Sequence, residues 1–488
     1  MTRQPSIPSP SNDTSPPPPA SSPRGTEHVQ GRLTGGPVGW TLWRLSWPMS
    51  MGLFSIIAFN IVDTFYIGML GAEPLAAIGF CFPVIFFMGA FAIGLGFGAQ
   101  SVVSRAIGEG NMPRARRLTA NTMTLVIGYS LFMTVLMQVI SDPVFRLLGT
   151  PETLMPYVDQ YMDVWYMGLI FLVSPIVANS LIRANGEALI PSIMMVVAAF
   201  INAVISPVLV FGWLGFPEMG MAGAAWATIA ARFTIVIAAV WYLGFHEKVM
   251  EISWRSVQAL PRHVGSILRF SVPATIAQLV SPLATAAIVR ILAQYGPEAV
   301  AGFTVGSRIE TLMLIPFFAL QQGIGPFIGQ NAGAKKPERL EQAERWIWRF
   351  AVLWGLFAMT VLACFGGDIG RLFSDHPDII ASTDQFLMLT GIGFVFAGLF
   401  YAGLGVLNPL GHPNLAAMMS AVRFLIVYIG AAWVLSRGLI PGIDGPTGVF
   451  LAAPLSWLVA GALAAWLINS RLPHGEKAGG KTTDKASV

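Results

Sequence analysis

The chain has 488 residues, 54% of them hydrophobic and only 11% charged, with a net charge of +4 and a mean hydropathy of +0.65. A soluble domain carries about a quarter charged residues, so an ordinary soluble enzyme is excluded and a polytopic membrane protein is indicated. The positive charge is mild and no basic block is interleaved with aromatics, which excludes a nucleic-acid partner.

Residues 1–38 are rich in Pro, Ser, Thr and Gly and lack the apolar core of a signal peptide. They read as a disordered cytoplasmic tail. A spanning helix needs about 20 mostly apolar residues. Twelve stretches qualify: roughly 45–70, 75–104, 118–140, 158–182, 189–213, 221–245, 266–294, 299–328, 346–366, 384–408, 415–437 and 446–469. They divide into an N-lobe over 39–245, a cytoplasmic linker over 246–264 and a C-lobe over 265–470. Residues 471–488 form a second polar, disordered cytoplasmic tail. The loops after spans 2, 6 and 8 hold the arginines and lysines at 105–117, 248–262 and 335–339, which places both termini in the cytoplasm. The expected location is the plasma (inner) membrane. Trp40, Trp43 and Trp47 suit the interface at the first entry.

The chain repeats itself at an offset of about 225 residues, without a gap. Ser46 meets Ser271, Pro48 meets Pro273, Gly71 meets Gly296, Glu73 meets Glu298, Gly98 meets Gly323 and Gly108 meets Gly333. Six spans per repeat give two lobes of the same membrane orientation, related by an axis along the membrane normal. That plan puts a cavity between the lobes and favours a transporter that rocks one lobe against the other. The fold class is thus an all-α membrane protein of twelve transmembrane helices in two six-helix lobes.

Two acids look well inside the spans: Asp63 and Glu310. An acid at the centre of a spanning helix costs roughly 2.5–3.5 kcal/mol on insertion scales, so it faces a bundle interior or a wet cavity. Asp63 has no acidic counterpart in the repeat, since Ile288 stands opposite. Asn202 and Ser206 are four residues apart in span 5, on one helical face, and Thr228 adds a hydroxyl from span 6. These are hard oxygen ligands, suited to a proton-linked network or to Na⁺. The bland alternative is hydrogen bonding that glues helices together. For Glu310 the expected partner is Arg290, near the outer end of span 7, as an interhelical ion pair. Arg232 and Arg423 are further charges in apolar surroundings whose roles the sequence does not choose. Pro48 offers a bending point in span 1.

The chain resembles the MATE (multidrug and toxic compound extrusion) family within the wider MOP flippase superfamily. The resemblance covers roughly residues 39–470 and rests on several stretches. They are Val62-Asp-Thr-Phe-Tyr-Ile-Gly68, Arg183-Ala-Asn-Gly-Glu187, Phe200-Ile-Asn-Ala-Val-Ile-Ser-Pro207, Gly220-Met-Ala-Gly-Ala-Ala-Trp-Ala-Thr228 and Gly329-Gln-Asn-Ala-Gly-Ala334. It implies a V-shaped fold and export of cationic, lipophilic drugs and toxic organic cations in exchange for H⁺ or Na⁺, from a monomer in membrane lipid. It assigns Asp63, Asn202 and Thr228 to ion coupling and Pro48 to helix bending; Ser206 and Tyr66 are read from their positions as part of the same pocket. Ser206 stands where many members have a second aspartate, and Ser281 and Ala397 stand where a subgroup has further carboxylates. Coupling should therefore rest on Asp63, with H⁺ favoured over a weak Na⁺ site at Asp63, Asn202 and Thr228.

An enzyme is not expected, because there is no G-x-x-x-x-G-K-[ST] loop and no catalytic triad. No cofactor beyond the coupling ion is expected. Cys81 and Cys364 lie in apolar stretches and no histidine sits mid-span, so neither a disulfide nor a metal site is expected. The alternative function is a lipid-linked precursor flippase of the same superfamily, whose cavities are rich in Arg and Lys.

Overall fold

The computed structural model describes residues 31–250, 260–438 and 445–472. Much of the tail reading (1–30 and 473–488) and the linker segment 251–259 lie outside the described residues. Among the described residues ten helices are long and apolar enough to cross a membrane, and two bent helix pairs, each taken as one span, bring the number to twelve. Spans 1 to 3 are Val38–Met69, Ala72–Gly108 and Met112–Leu147. Span 4 is Met155–Met167 with Leu169–Ala184, span 5 is Leu189–Phe211 and span 6 is Gly220–His246. Spans 7 to 9 are Leu260–Leu292, Pro297–Gly333 and Pro337–Arg371. Span 10 is Pro377–Gly391 with Phe394–Leu407, span 11 is Pro413–Leu435 and span 12 is Gly445–Arg471.

Two of the twelve expected spans are bent. Span 4 bends by 55° and span 10 by 60°. The bends fall at Gly168 and Gly393, which are partners in the 225-residue repeat. A Cβ at Gly168 would run into Ile229, and one at Gly393 would come within 2.9 Å of the Pro454 backbone. Ile229 and Pro454 are repeat partners too. Each lobe therefore breaks the same helix at the same glycine, where a neighbouring span presses on the backbone.

Each lobe has its own core, and span 1 is shared between them. Its first half, from Val38 through Leu42, Leu45 and Met49, packs with Leu320, Ile324, Phe327 and Ile328 of span 8. Its second half turns back to the N-lobe, where Phe59 packs with Ala198, Ala231 and Ile235. Pro48 lies near the crossover, where its missing N–H makes bending cheap. The helix runs through it without a break.

The lobes meet through glycines. A Cβ at Gly98 would come within 2.7 Å of the Ser271 backbone nitrogen, and one at Gly323 within 2.8 Å of the Ser46 hydroxyl. These two contacts are images of each other in the repeat. Gly108 against the Gln330 backbone and Gly333 against the Arg105 backbone form a second such pair, while Gly329 sits against its own repeat partner, Ser104. The lobes are thus closed against one another at the end where span 1 begins and span 12 ends.

The expected tail, residues 1–38, is corrected at its end. Residues 31–37 strap across the closed end. Leu33 donates its N–H to Gln330 Oε1 (3.0 Å), and Asn331 Nδ2 donates to the Leu33 carbonyl (3.1 Å). Arg339 donates to the carbonyls of Leu33, Gly35 and Gly36 at 3.2, 3.0 and 2.7 Å. On the N-lobe side Arg32 pairs with Glu247 at 3.0 Å. Burial opposes ionisation of Glu247, but Tyr242, Asn185 and Arg32 outweigh it and hold its carboxyl below the ordinary range. The strap therefore joins the lobes by polar contacts. Hydrogen bonds to a charged group contribute about 1.5–3 kcal/mol. Arg339→Ala should raise amide hydrogen exchange at Leu33 by roughly ten- to a hundredfold. Unaltered protection would show that the strap is held by something else.

Candidate ion-coupling site and central cavity

Asp63 lies on span 1, one turn before Tyr66, whose hydroxyl donates to the Ala203 carbonyl of span 5 (3.3 Å). That bond fixes this stretch of span 1 beside Asn202. Asn202 and Ser206, one helical turn apart as expected, are both fully buried, and Asn202 Nδ2 donates to Thr228 Oγ1 of span 6 (3.4 Å). Asp63 is 6% exposed. Spans 1, 5 and 6 therefore gather the expected N-lobe residues in one region. No hydrogen bond joins Asp63 to Asn202, Ser206 or Thr228 among the described residues.

Three buried oxygens there lack a hydrogen-bond partner: Asp63 Oδ1, Asn202 Oδ1 and Ser206 Oγ. Buried polar groups are nearly always satisfied, so a cluster of unsatisfied oxygens is unusual. One carboxylate with neutral oxygens suits a proton or a small hard cation. Among the described residues no group of three or more His, Cys, Asp or Glu is placed to hold a metal ion.

Sequence reasoning left Arg232 without a role. It reaches from span 6 toward Asp63 and interacts with its charge. Its guanidinium also lies over the Phe59 ring at 5.5 Å. Arg232 fronts the central cavity, whereas Asp63 does not.

In the C-lobe the expected Arg290–Glu310 pair is not formed. Arg290 is exposed. Glu310 accepts a hydrogen bond from Trp457 Nε1 (3.3 Å) and interacts with the charge of Arg423. The Arg423 guanidinium lies over the rings of Trp457, Phe424 and Phe400 at 3.2, 4.0 and 5.1 Å. Arg423 belongs to a wide-turned π-helical segment, Val422–Tyr428, which turns it inward. Each lobe thus buries one acid within electrostatic reach of an arginine, at positions the repeat does not equate, and neither acid forms a salt bridge with its arginine among the described residues.

A cavity of about 950 Å³ lies between the lobes. Phe59, Phe86, Phe97, Phe318, Phe400 and Phe424 line it, with Gln278 and Gln321 among its polar groups. Arg183, at the end of span 4, also lines it. The sequence placed Arg183 in a motif but gave no hint of its direction.

The MatE family model matches residues 48–208 and again 273–434, and the two matches start 225 residues apart. The FAD transporter of Shewanella oneidensis is 30% identical over 446 residues, covering 91% of this chain and 97% of that protein. The multidrug export protein MepA of Staphylococcus haemolyticus is 22% identical over 92% of this chain and 95% of its own. Among solved structures, the Vibrio cholerae MATE transporter VcmN in its bent form superposes with a TM-score of 0.83. It is 27% identical and covers 89% of this chain and 97% of that one.

Proposed function

The chain belongs to the MatE family, and from that premise we propose that it exports small organic molecules in exchange for an inward ion, with Asp63 as the coupling carboxylate. It is an integral membrane transporter and not an enzyme. The observation that carries the coupling reading is the buried Asp63, without a hydrogen bond, in one region with two further unsatisfied oxygens. H⁺ is the favoured ion, because the site has a single carboxylate and the Arg232 cation near it works against a bound Na⁺. Na⁺ at Asp63, Asn202 and Thr228 is the second choice. The positive-inside rule puts the closed end and both termini in the cytoplasm, so the cavity belongs to an outward-facing state.

The multidrug exporters among the relatives support drug-like small molecules as substrates, and the resemblance adds that these are lipophilic cations. A second reading is favoured by the cavity itself. Two arginines and no acid line it among the described residues, and one relative is named for FAD, an anionic aromatic. Full-length protein in proteoliposomes should show ion flux stimulated by a substrate probe, either ethidium or FAD. Flux that neither probe stimulates, together with movement of a lipid-linked diphosphate, would transfer the chain to the flippase reading.

A further inference from the structure

The cavity carries charge of one sign. Among its described lining residues Arg183 and Arg232 are the charged ones. Arg183 is 4% exposed. Its Nε donates to Gln100 Oε1 (3.3 Å) and its Nη2 to Ser180 Oγ (2.7 Å), while Nη1 is buried without a partner. Gln100 is in turn held, donating through Nε2 to the Gln322 carbonyl of span 8 (3.3 Å). Neutral groups therefore aim this guanidinium without neutralising it. Arg232 likewise has a buried Nε with no partner. A buried cation is costly unless an anion meets it. Among the described residues no acid meets Arg183.

We propose that Arg183 and Arg232 form a subsite for the phosphate of a substrate with a planar aromatic body. This rests on the reading of the cavity as the transport site. Guanidinium forks match phosphate oxygens two at a time. The phenylalanine walls offer rings for stacking, and the amides of Gln278 and Gln321 can donate and accept at the edge of a heterocycle. At about 950 Å³ the cavity is at the upper end of small-molecule sites, large enough for a nucleotide-sized ligand. A cationic drug would face the uncompensated charge of Arg183 across a low-dielectric space, while Arg232 is partly balanced by Asp63 until a phosphate reaches it.

The test uses riboflavin and riboflavin 5′-phosphate, which differ by the phosphate alone, on the full chain in nanodiscs, read by flavin fluorescence without an ion gradient. The phosphate ester should bind at least about tenfold tighter, because hydrogen bonds from a guanidinium to an anion are stronger than those to a neutral hydroxyl. Arg183→Gln and Arg232→Gln should each drive that ratio toward one. Arg183→Lys, which keeps the charge but not the fork, should restore part of it. Equal affinities in the unmodified chain would overturn the proposal, as would a ratio that both glutamine variants leave intact. A prenyl diphosphate that displaces the ester more strongly than the ester displaces it would assign the phosphate to a lipid and overturn the aromatic half. Because no gradient is applied, the result stands apart from the coupling reading, which gradient-driven transport tests separately.

Discussion

Asp63→Asn is expected to reduce gradient-driven transport to the level of empty vesicles while the protein still inserts and folds. The substitution keeps the shape of the side chain and removes only its ability to carry a charge. A buried carboxylate is the costly form in a spanning helix, by roughly 2.5–3.5 kcal/mol, so the amide should not unfold the N-lobe. It does leave Arg232 without its counter-charge. Size-exclusion behaviour and thermal stability near those of the unmodified chain, with transport lost, would isolate the coupling role. Transport that survives the change would remove Asp63 from the mechanism, and with it the argument from its buried, unsatisfied oxygen.

The second large effect concerns the closed end. Gly98→Val should hold the lobes apart there. A Cβ at Gly98 would come within 2.7 Å of a backbone nitrogen in span 7, and backbone cannot turn aside as a side chain can. Overpacking of this kind costs about 1–3 kcal/mol. At about 1.4 kcal/mol per factor of ten, the closed arrangement loses roughly ten- to a hundredfold in population. Alternating access needs both arrangements, so transport should fall by a comparable factor. The measurement is disulfide formation between Glu109→Cys and Ala334→Cys in a chain lacking Cys81 and Cys364. Those positions lie where Gly333 meets the Glu109 backbone. Cross-linking should be fast in the parent and slow in the valine variant. Equal rates would mean that the glycine contacts do not govern closure.

The repeat was legible because it is written in identities. Gly98 with Gly323 and Ser46 with Ser271 keep one offset, and the structure turns those four residues into two copies of a single contact. The bends at Gly168 and Gly393 were not legible. A glycine inside an apolar run does not show which neighbour presses on it, and Ile229 and Pro454 lie some 60 residues away. The strap was misread as tail for the same reason. Its composition is that of a disordered segment, and its order comes from Gln330, Asn331 and Arg339, about 300 residues downstream.

The site was legible in part. Helical spacing placed Asn202 and Ser206 on one face, and Asp63 stood out as an acid in apolar surroundings. The partners of the charges were harder to read. Arg290 looked suitable for Glu310 from its place near the outer end of span 7. The charge that Glu310 meets is that of Arg423, on a wide-turned segment that no sequence period reveals, and its hydrogen bond comes from Trp457. Arg183 and Arg232 were visible as charges, but their exposure to one cavity depends on how the two lobes lean together.

The most direct measurement is transport of ethidium and of FAD in proteoliposomes with a proton gradient or a sodium gradient imposed separately, on the unmodified chain and on Asp63→Asn. The account predicts transport of at least one probe driven by the proton gradient alone and absent in the variant. Transport indifferent to both gradients, or equal in the two proteins, would contradict it.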